Sequence, residues 1–328
     1  MLQFLIRRIL YMIPTMIAVS LVAFIIIQLP PGDYLTTYAA SLAAQGDQVD
    51  EATIRALEER YGLGQPVYMQ YLKWMQGILT EGDFGDSFGW NRPVSDLLWG
   101  RLGLTFVLSL TSLLFVWAVA FPIGIYSAVK QYSIGDYIAT IIGFLGLATP
   151  NFLLALILMY ISFKFFNQSV GGLFSPEFQE APWNWDRVVD LLAHLWVPVI
   201  IIGTAGTASL IRIMRANLLD ELRKPYVVTA RAKGLSEWRL LFKYPVRIAL
   251  NPFISTVGWV LPTLVSGAAI VSIVLSLPTT GPLLIRALLQ QDMYLAASFI
   301  MMLSILTIIG TLVSDLLLAW LDPRIRYE

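Results

Sequence analysis

The stretch LGLTFVLSLTSLLFVWAVAFPIGIYSAV, residues 102–129, contains no charged side chain. An α-helix rises about 1.5 Å per residue, so about 20 apolar residues are enough to cross a hydrocarbon core about 30 Å thick. The rest of the chain agrees with this pattern, because 57% of its 328 residues are hydrophobic, 13% are charged and the mean hydropathy is +0.70. A soluble domain needs far less apolar sequence to build one core, so we predict an integral membrane protein.

Five further apolar stretches have a comparable length, and the chain is therefore predicted to be all-α with six transmembrane helices. The six predicted spans are residues 9–29, 102–129, 138–166, 191–214, 253–277 and 295–321. Pro198 and Pro262 interrupt two of them, but neighbouring helices can satisfy the backbone groups that a proline exposes. The first stretch follows Arg7 and Arg8 and resembles a secretory signal, yet it is longer than a signal core, so we expect a retained helix.

Basic residues beside the spans indicate the orientation of the chain in the membrane. They precede the first span, follow the second and sixth, and are densest between the fourth and fifth: Arg7, Arg8, Lys130, Arg324, Arg326 and nine lysines or arginines within residues 212–247. Both termini are therefore predicted to be cytoplasmic. The predicted parts are an N-terminal transmembrane helix (1–29), an external subdomain (30–101) and a five-helix transport core (102–328) that includes a cytoplasmic loop (215–252).

The composition excludes several classes of function. Lysine plus arginine and aspartate plus glutamate both number 22, so no charge excess points to a nucleic acid partner. The chain has no cysteine and one histidine, His194, so neither a catalytic constellation nor a metal-binding cluster of these residues is expected. No lysine follows a glycine-rich phosphate-binding pattern, so the chain is not expected to be an enzyme, and any ATP must be hydrolysed by another chain.

The predicted spans are nearly free of ionisable side chains, which argues against a carrier coupled to an ion gradient. The exceptions are His194, near one end of the fourth span, and Asp315, near one end of the sixth. Both positions allow hydration or pairing close to the membrane surface. We therefore expect structural roles for both side chains.

The segment DELRKPYVVTARAKGLSEWRLLFKYPVRIALNP, residues 220–252, lies in the most basic loop. Pro225 suits the first turn of a helix, Gly234 suits the left-handed position that ends one, and Ser236 is a typical N-cap for a second helix. We therefore predict a helix, a bend and a second helix exposed to the cytoplasm. A basic loop of this kind either holds anionic lipid or forms a docking surface for a partner.

Residues 229–252, TARAKGLSEWRLLFKYPVRIALNP, resemble the EAA-type loop in permease subunits of ATP-binding-cassette (ABC) importers, specifically the dipeptide, oligopeptide and nickel group. Ala230, Ala232 and Gly234 occupy the small-residue part of that motif. Further blocks resemble the same family in the same order along the chain: YGLGQPVYMQYLKWMQGIL (61–79), GDFGDSF (82–88), RPVSDLLWGRL (92–102), ATPNF (148–152) and LDPRIRY (321–327). The resemblance covers nearly the whole chain.

The resemblance implies the fold of a type I ABC importer permease, with an external subdomain between helices 1 and 2. It implies that the cytoplasmic loop inserts into an ATPase as a coupling helix, through Thr229, Ala230, Arg231, Ala232, Lys233, Gly234, Leu235 and Ser236. The implied partners are a second homologous permease in a heterodimer, two ATPases that hold ATP and Mg, an external solute-binding protein and the lipid bilayer of a bacterial plasma membrane. No cofactor is expected in this chain. The candidate contacts for the binding protein are Tyr61, Arg92 and Asp292.

The fifth span departs from the family pattern. Residues 267–284, GAAIVSIVLSLPTTGPLL, have Ser272 where the family usually has an acidic residue, and residues 291–294 read Gln-Asp-Met-Tyr instead of Arg-Asp-Tyr-Pro. The candidate channel residues are Ser272, Ser276 and Pro278. A serine in place of a carboxylate removes a partner for a peptide amino terminus, while Ser272, Thr279 and Thr280 offer neutral hydrogen bonds. Peptides and neutral oligosaccharides therefore both stay open as substrates. A membrane scaffold and an ion-coupled carrier are the alternatives of a different class.

Overall fold

The structure, a computed structural model, describes residues 2–28, 65–87, 89–90, 92–166, 171–179, 181–251, 253–254, 269–290 and 292–321. Three regions of interest lie outside these ranges: the candidate docking residue Tyr61, the first part of the predicted external subdomain and most of the fifth predicted span.

Helices make up most of the described chain, which confirms the predicted all-α class. They are α1 (Leu2–Gln28), α2 (Val67–Glu81), α3 (Val94–Val129), α4 (Ile134–Ala148), α5 (Asn151–Phe166), α6 (Trp185–Leu222), α7 (Pro225–Ala232), α8 (Glu237–Lys243), α9 (Pro245–Ala249), α10 (Ala269–Val274), α11 (Thr280–Leu289) and α12 (Met293–Leu321). Two short strands, β1 (Asp86–Ser87) and β2 (Arg92–Pro93), pair in antiparallel orientation, and a 3₁₀ turn covers Pro176–Phe178.

Three helical segments among the described residues are long and apolar enough to cross a membrane: Val94–Val129, Trp185–Thr204 and Tyr294–Leu318. They correspond to the second, fourth and sixth predicted spans. The apolar part of α1, Leu10–Ile26, is shorter, and α4 and α5 give a fourth crossing only if they are counted together.

The third predicted span is not the single helix that the sequence suggested. α4 and α5 are bent by 103° at Thr149 and Pro150, in the middle of residues 138–166. Thr149 has an extended backbone, with φ −84° and ψ 119°. A proline lacks the N–H that would continue the helix, and its ring pushes the preceding residue out of the α region. The apolar run therefore predicted the composition of this segment correctly but not its shape.

α6 is longer than the predicted fourth span. It runs for 38 residues without a break and ends at Leu222, beyond the predicted end at residue 214. Pro198 is accommodated inside it, and the side chain of Asn184 caps its start by accepting a hydrogen bond from the Arg187 N–H at 2.8 Å. One continuous helix therefore joins an apolar segment to the polar loop that follows it.

The chain divides into two compact units. The first comprises Met1–Gly103 and Pro282–Ile308, and the second comprises Leu104–Gly281 and Ile309–Glu328. The boundaries at residues 29 and 101 that the sequence suggested remain predictions.

In the first unit, α1 packs on α2 through aromatic rings. The Phe24 ring lies 5.5 Å from the Tyr71 ring and 5.8 Å from the Trp74 ring, measured between centroids. The hydroxyls of Ser20 and Tyr71 are hydrogen-bonded at 2.7 Å. These contacts fix the first helix on the segment that follows residue 65.

In the second unit, α6 lies at the centre of the apolar packing. One buried cluster joins α6 to residues of α3, α5, α10, the turn after α10 and the loop before the 3₁₀ turn: Leu108, Ala155, Leu173, Phe174, Leu191, Leu195, Val197, Val199, Ile201, Ile202, Val271, Leu275 and Leu277. The Asp136 carboxylate at the start of α4 also accepts hydrogen bonds from the Arg215 guanidinium of α6, at 3.0 and 2.9 Å. α4 and α6 are therefore joined by a charged pair whose aspartate is buried.

Candidate functional site

The loop between α6 and residue 250 has the helix, bend and helix that the sequence predicts. α7 begins at Pro225, and its end has the hydrogen bonds of a Schellman motif: Gly234 N–H donates to Arg231 O at 3.0 Å and Leu235 N–H to Ala230 O at 3.3 Å. Gly234 has φ +79°, a left-handed conformation that glycine adopts without steric strain. α8 starts directly after Ser236, so these predicted helix limits are confirmed.

A small apolar core holds α7 against α8. Val227, Ala230 and Leu240 are buried there, and Tyr226, Leu235 and Tyr244 pack around them. Ala230 is therefore an internal packing residue rather than a contact surface. The other predicted coupling residues differ from it: Leu235 is half-buried, while Thr229, Arg231, Ala232, Lys233, Gly234 and Ser236 are exposed.

The predicted coupling residues are thus brought together on one bend, with a fully exposed ion pair across it. Arg231 donates to both carboxylate oxygens of Glu237, at 2.6 and 3.0 Å. This hydrogen bonding lowers the pKa of Glu237 and raises the pKa of Arg231. An exposed pair of this kind contributes little to stability, so the apolar core sets the geometry of the bend.

Tyr226 adds a polar contact at the other end of α7. Its hydroxyl donates to the Glu221 carboxylate at 2.6 Å. Burial and the nearby Glu221 charge raise the pKa of Tyr226, so the phenol stays protonated and keeps this hydrogen bond at neutral pH. The bond ties the start of the loop to the last turn of α6.

A second apolar cluster fastens the loop to the long helix. Leu241 of α8 and Val246 and Ala249 of α9 are buried together with Met214 and Leu218 of α6. The loop therefore does not hang freely from α6. α8 and α9 are packed directly on α6.

Two aromatic side chains that the sequence analysis did not single out form an exposed patch on α8. The rings of Trp238 and Phe242 are parallel within 4° with centroids 5.6 Å apart, and 71% and 49% of these residues are exposed. The signal in the sequence was their i, i+4 spacing beside the buried Leu240 and Leu241. Large exposed aromatics of this kind are typical of protein interfaces.

The three candidate channel residues lie close in sequence but in different environments. Ser272 is buried in α10, Pro278 is half-buried and Ser276 is exposed. Ser276 occupies the left-handed position that ends α10, with φ +53°, and Leu277 N–H donates to Ser272 O at 2.7 Å. Ser272 therefore offers its hydroxyl to the protein interior in this conformation.

The turn after Pro278 is fixed by α3 and by close backbone packing. Thr280 N–H donates to the Thr105 hydroxyl at 3.0 Å, and the two threonine hydroxyls are 3.1 Å apart. A Cβ at Gly281 would lie 2.9 Å from both Cα and Cβ of Ala269, so only glycine fits there without backbone movement. The segment that carries the channel candidates is therefore held in one position.

We expect Gly281→Val to destabilise the protein by about 1–3 kcal/mol, because the new side chain must displace the backbone of α10. Thermal unfolding in detergent measures the change. Gly206→Ala is the matched control, since its Cβ would meet Val116 only at 3.6 Å, an ordinary contact. Equal stability of the two variants would contradict the close packing at Gly281.

The two described docking candidates are also unlike each other. Arg92 is exposed on β2, whereas Asp292 is completely buried. The Asp292 carboxylate accepts hydrogen bonds from the Ser87 hydroxyl, from Gly89 N–H at 3.2 Å and from Leu295 N–H at 3.3 Å. In this conformation Asp292 holds the turn between β1 and β2 against the start of α12. A docking role for either residue remains a prediction.

A polar hollow of about 410 Å³ lies beside this turn, and it is lined by Gln70, Lys73, Trp74, Gln76, Gly77, Thr80, Glu81, Asp83, Gly85 and Tyr294. Tyr294 also packs so closely on Gly85 that a Cβ there would meet its ring at 2.8 Å. Gly85 has φ +94°, which independently favours glycine. The first unit thus combines a tightly held turn with an open polar surface.

His194 and Asp315 are both buried. The His194 ring lies 2.8 Å from the Asp190 carbonyl oxygen through Nδ1, while the Asp190 carboxylate accepts from the Ser175 N–H and hydroxyl at 2.8 and 2.6 Å. This arrangement ties the loop before α6 to its second turn. It agrees with the structural role expected for His194.

Comparisons with known proteins cover the full length of the chain. Residues 120–327 match the family described as "Binding-protein-dependent transport system inner membrane component", and residues 1–111 match "Binding-prot-dependent transport system membrane comp, N-term". The chain is 36% identical over 329 residues to the oligopeptide transport system permease protein AppB of Bacillus subtilis (strain 168), and the comparison covers 100% of both chains.

Two further relatives are named as dipeptide transport system permease proteins. The chain is 31% identical over 344 residues to DppB of Alkalihalophilus pseudofirmus and 30% identical over 344 residues to DppB of Escherichia coli (strain K12). Each comparison covers 100% of both chains. The similarity therefore extends over both compact units.

Proposed function

Because this chain belongs to the family of binding-protein-dependent transport system inner membrane components, we propose that it is a transmembrane permease subunit of an ATP-driven importer of dipeptides and oligopeptides. The observation that carries this proposal is the exposed bend at Gly234, which is internally packed and fastened to α6. Because the bend is rigid and packed on α6, it is suited to contact with an ATPase that moves it. The chain is a transporter component and not itself an enzyme.

The proposed assembly contains a second homologous permease, two ATPases that bind ATP and Mg, and an external solute-binding protein. In this arrangement both termini and the loop around Gly234 are cytoplasmic, six helices cross the bacterial plasma membrane, and an external subdomain lies between helices 1 and 2. The long apolar segments and the basic residues beside them support this orientation.

The proposed coupling runs through α6. The ATPase contacts the exposed residues of the bend, including the patch of Trp238 and Phe242, and closure of the ATPases moves α7 and α8. The packing of Leu241 against Met214 and Leu218 transfers that movement to α6, which is unbroken between Trp185 and Leu222. The pair of Arg215 and Asp136 passes it on to α4. The channel then alternates between outward and inward access.

Peptides are favoured over oligosaccharides as the substrate. The three relatives above are named for oligopeptides or dipeptides and match over their entire lengths. The oligosaccharide alternative depended on neutral hydrogen bonding by Ser272, Thr279 and Thr280, but all three side chains are buried in this conformation. They therefore offer little surface to a solute.

Purification of this subunit from its native membrane tests the assembly. ATPases, a second permease and a binding protein should be recovered with it, and short peptides should raise the melting temperature of the binding protein. Recovery of this subunit alone, under conditions that keep a control transporter of the same family intact, would contradict the proposal. Stabilisation by oligosaccharides alone would contradict the substrate class.

We expect Gly234→Trp to abolish most of the transport-coupled ATP hydrolysis, by at least about tenfold, while the subunit itself stays folded. A Cβ at Gly234 has no neighbour within 4 Å, so the new side chain starts in open space on the surface that a docked partner would cover. The left-handed φ of +79° adds a strain of about 1–2 kcal/mol, which a folded subunit can tolerate. The measurement is peptide-stimulated ATPase activity of the complex in liposomes.

Gly234→Asn is the matched control for this variant. Asparagine tolerates the left-handed conformation better than other residues with a side chain. This change therefore tests whether the backbone at residue 234 must be glycine, without placing a large side chain on the surface of the bend. It should retain most of the activity. Similar activity of the Trp variant and the wild-type complex would mean that no partner approaches Gly234, and the coupling role of the bend would have to be abandoned.

A further inference from the structure

Two arginines from different helices meet at one indole ring in the first unit. The guanidinium carbon of Arg101, in α3, lies 5.8 Å from the centroid of the Trp90 ring, and that of Arg286, in α11, lies 6.0 Å from it. Trp90 belongs to the turn between β1 and β2. Both distances are within the range of attraction between a cation and an aromatic face.

The position of Trp90 is fixed by the same turn that Asp292 holds. The Ser87 hydroxyl and Gly89 N–H both donate to the buried Asp292 carboxylate, which places the following residue of the chain beside α11. The indole N–H of Trp90 is buried and has no acceptor among the residues that the structure describes. An acceptor brought to this ring would satisfy that donor.

The Asp292 carboxylate that holds this turn is fully buried and already accepts three hydrogen bonds. Arg286 is the single charged side chain of α11, and residues 267–290 contain no aspartate or glutamate. Arg286 is exposed, whereas Arg101 is partly buried. A carboxylate placed between the two guanidinium groups would be attracted by both.

From this geometry we propose that Trp90, Arg101 and Arg286 form a carboxylate-binding site that receives the C-terminal carboxylate of an incoming peptide. The guanidinium fork matches a carboxylate with two parallel hydrogen bonds, and the rigid indole fixes where the fork lies. A peptide carries this group whatever its side chains are, because the α-carboxyl pKa is about 3.5. The site would therefore suit a transporter that accepts many sequences.

This inference rests on the proposed function, since it assumes a peptide substrate and an external position for the first unit. The test uses the complete transporter in liposomes with its co-purified binding protein. Uptake is compared for the neutral peptide that most stabilises the binding protein and for the same peptide with a C-terminal amide. Each variant is compared with wild type for each peptide separately, so that any preference of the binding protein itself cancels.

Arg286→Gln is expected to lower kcat about tenfold for the free acid, because it removes a charge-assisted hydrogen bond formed when the peptide leaves the binding protein. Uptake of the amide should change less than about twofold. Arg286→Lys keeps the charge but loses the fork, so its effect should be smaller and still selective for the acid. Lys164→Gln is the matched control, since Lys164 is also an exposed base beside aromatic rings, and it should change neither peptide.

Several outcomes would overturn the site. An equal loss for acid and amide, or an unchanged rate for both, would exclude recognition of the terminal carboxylate. A raised KM for the loaded binding protein with both peptides would mean that the arginines contact an acidic surface of that protein instead. If the Arg286→Gln variant does not assemble, uptake of the acid and the amide by Arg286→Lys provides the same test. If the wild-type transporter takes up neither peptide, the proposed function is contradicted, and the site with it.

Discussion

Asp136→Asn is expected to lower the free energy of unfolding by about 3–5 kcal/mol. Only 4% of the Asp136 side chain is exposed, and it accepts both hydrogen bonds of the Arg215 guanidinium, at 3.0 and 2.9 Å. It also accepts the Tyr132 N–H at 2.9 Å. The asparagine would leave the arginine charge partly buried without its counter-charge. Thermal and denaturant unfolding of the purified subunit in detergent measure the loss.

The double variant Asp136→Asn with Arg215→Gln separates the charge from the packing. With both charges removed, no uncompensated charge remains, so we expect it to recover a good part of the stability that the single variant loses. A single variant as stable as wild type would show that the pair does not hold α4 on α6. The proposed route of force from the bend to α4 would then fail at this step.

Asp292→Ala is expected to destabilise the first unit by about 3 kcal/mol, because it removes charge-assisted hydrogen bonds and leaves their donors without an acceptor. The donors are the Ser87 hydroxyl, Gly89 N–H and Leu295 N–H, and the carboxylate that accepts them is fully buried. The turn between β1 and β2 should loosen as a result. Thermal unfolding and limited proteolysis near residues 86–93 measure the two effects.

Asp96→Ala is the control for this variant. Asp96 is exposed in the first turn of α3, so its loss removes only a favourable interaction with the start of a helix, below about 1 kcal/mol. If the two variants were equally stable, Asp292 would not be the residue that positions the turn. Trp90 would then have no fixed place beside Arg286, and the carboxylate site would lose its geometric basis.

The sequence predicts the bend at Gly234 well because the signals there are local. A helix that begins at Pro225 and ends at a left-handed glycine is encoded within ten residues, and the structure has both. Helix limits of this kind depend on backbone preferences of a few neighbouring residues. The membrane character of α3, α6 and α12 is likewise set by composition over about 20 residues.

The break between α4 and α5 shows where such an argument fails. Pro150, a residue that can end a helix, was visible in the sequence. The apolar residues on both sides of it were nevertheless numerous enough for one membrane span, so a single span was predicted. The composition of a segment indicates whether it prefers lipid to water. It does not indicate whether the segment forms one straight helix or two helices that run in different directions. Only neighbours elsewhere in the chain decide whether a helix continues past a proline or turns away from it.

Composition, span lengths and helix ends were determined by the sequence itself, because each depends on residues close together in the chain. The tertiary structure decided which side chains meet. Asp136 is hydrogen-bonded to Arg215, which is 79 positions away in the sequence, and Ser87 to Asp292, which is 205 positions away. It also decided that Ser272 is buried while Ser276 is exposed, although they are one helical turn apart. Burial and pairing depend on the packing of distant segments, and the spacing of residues along one segment carries no information about that packing.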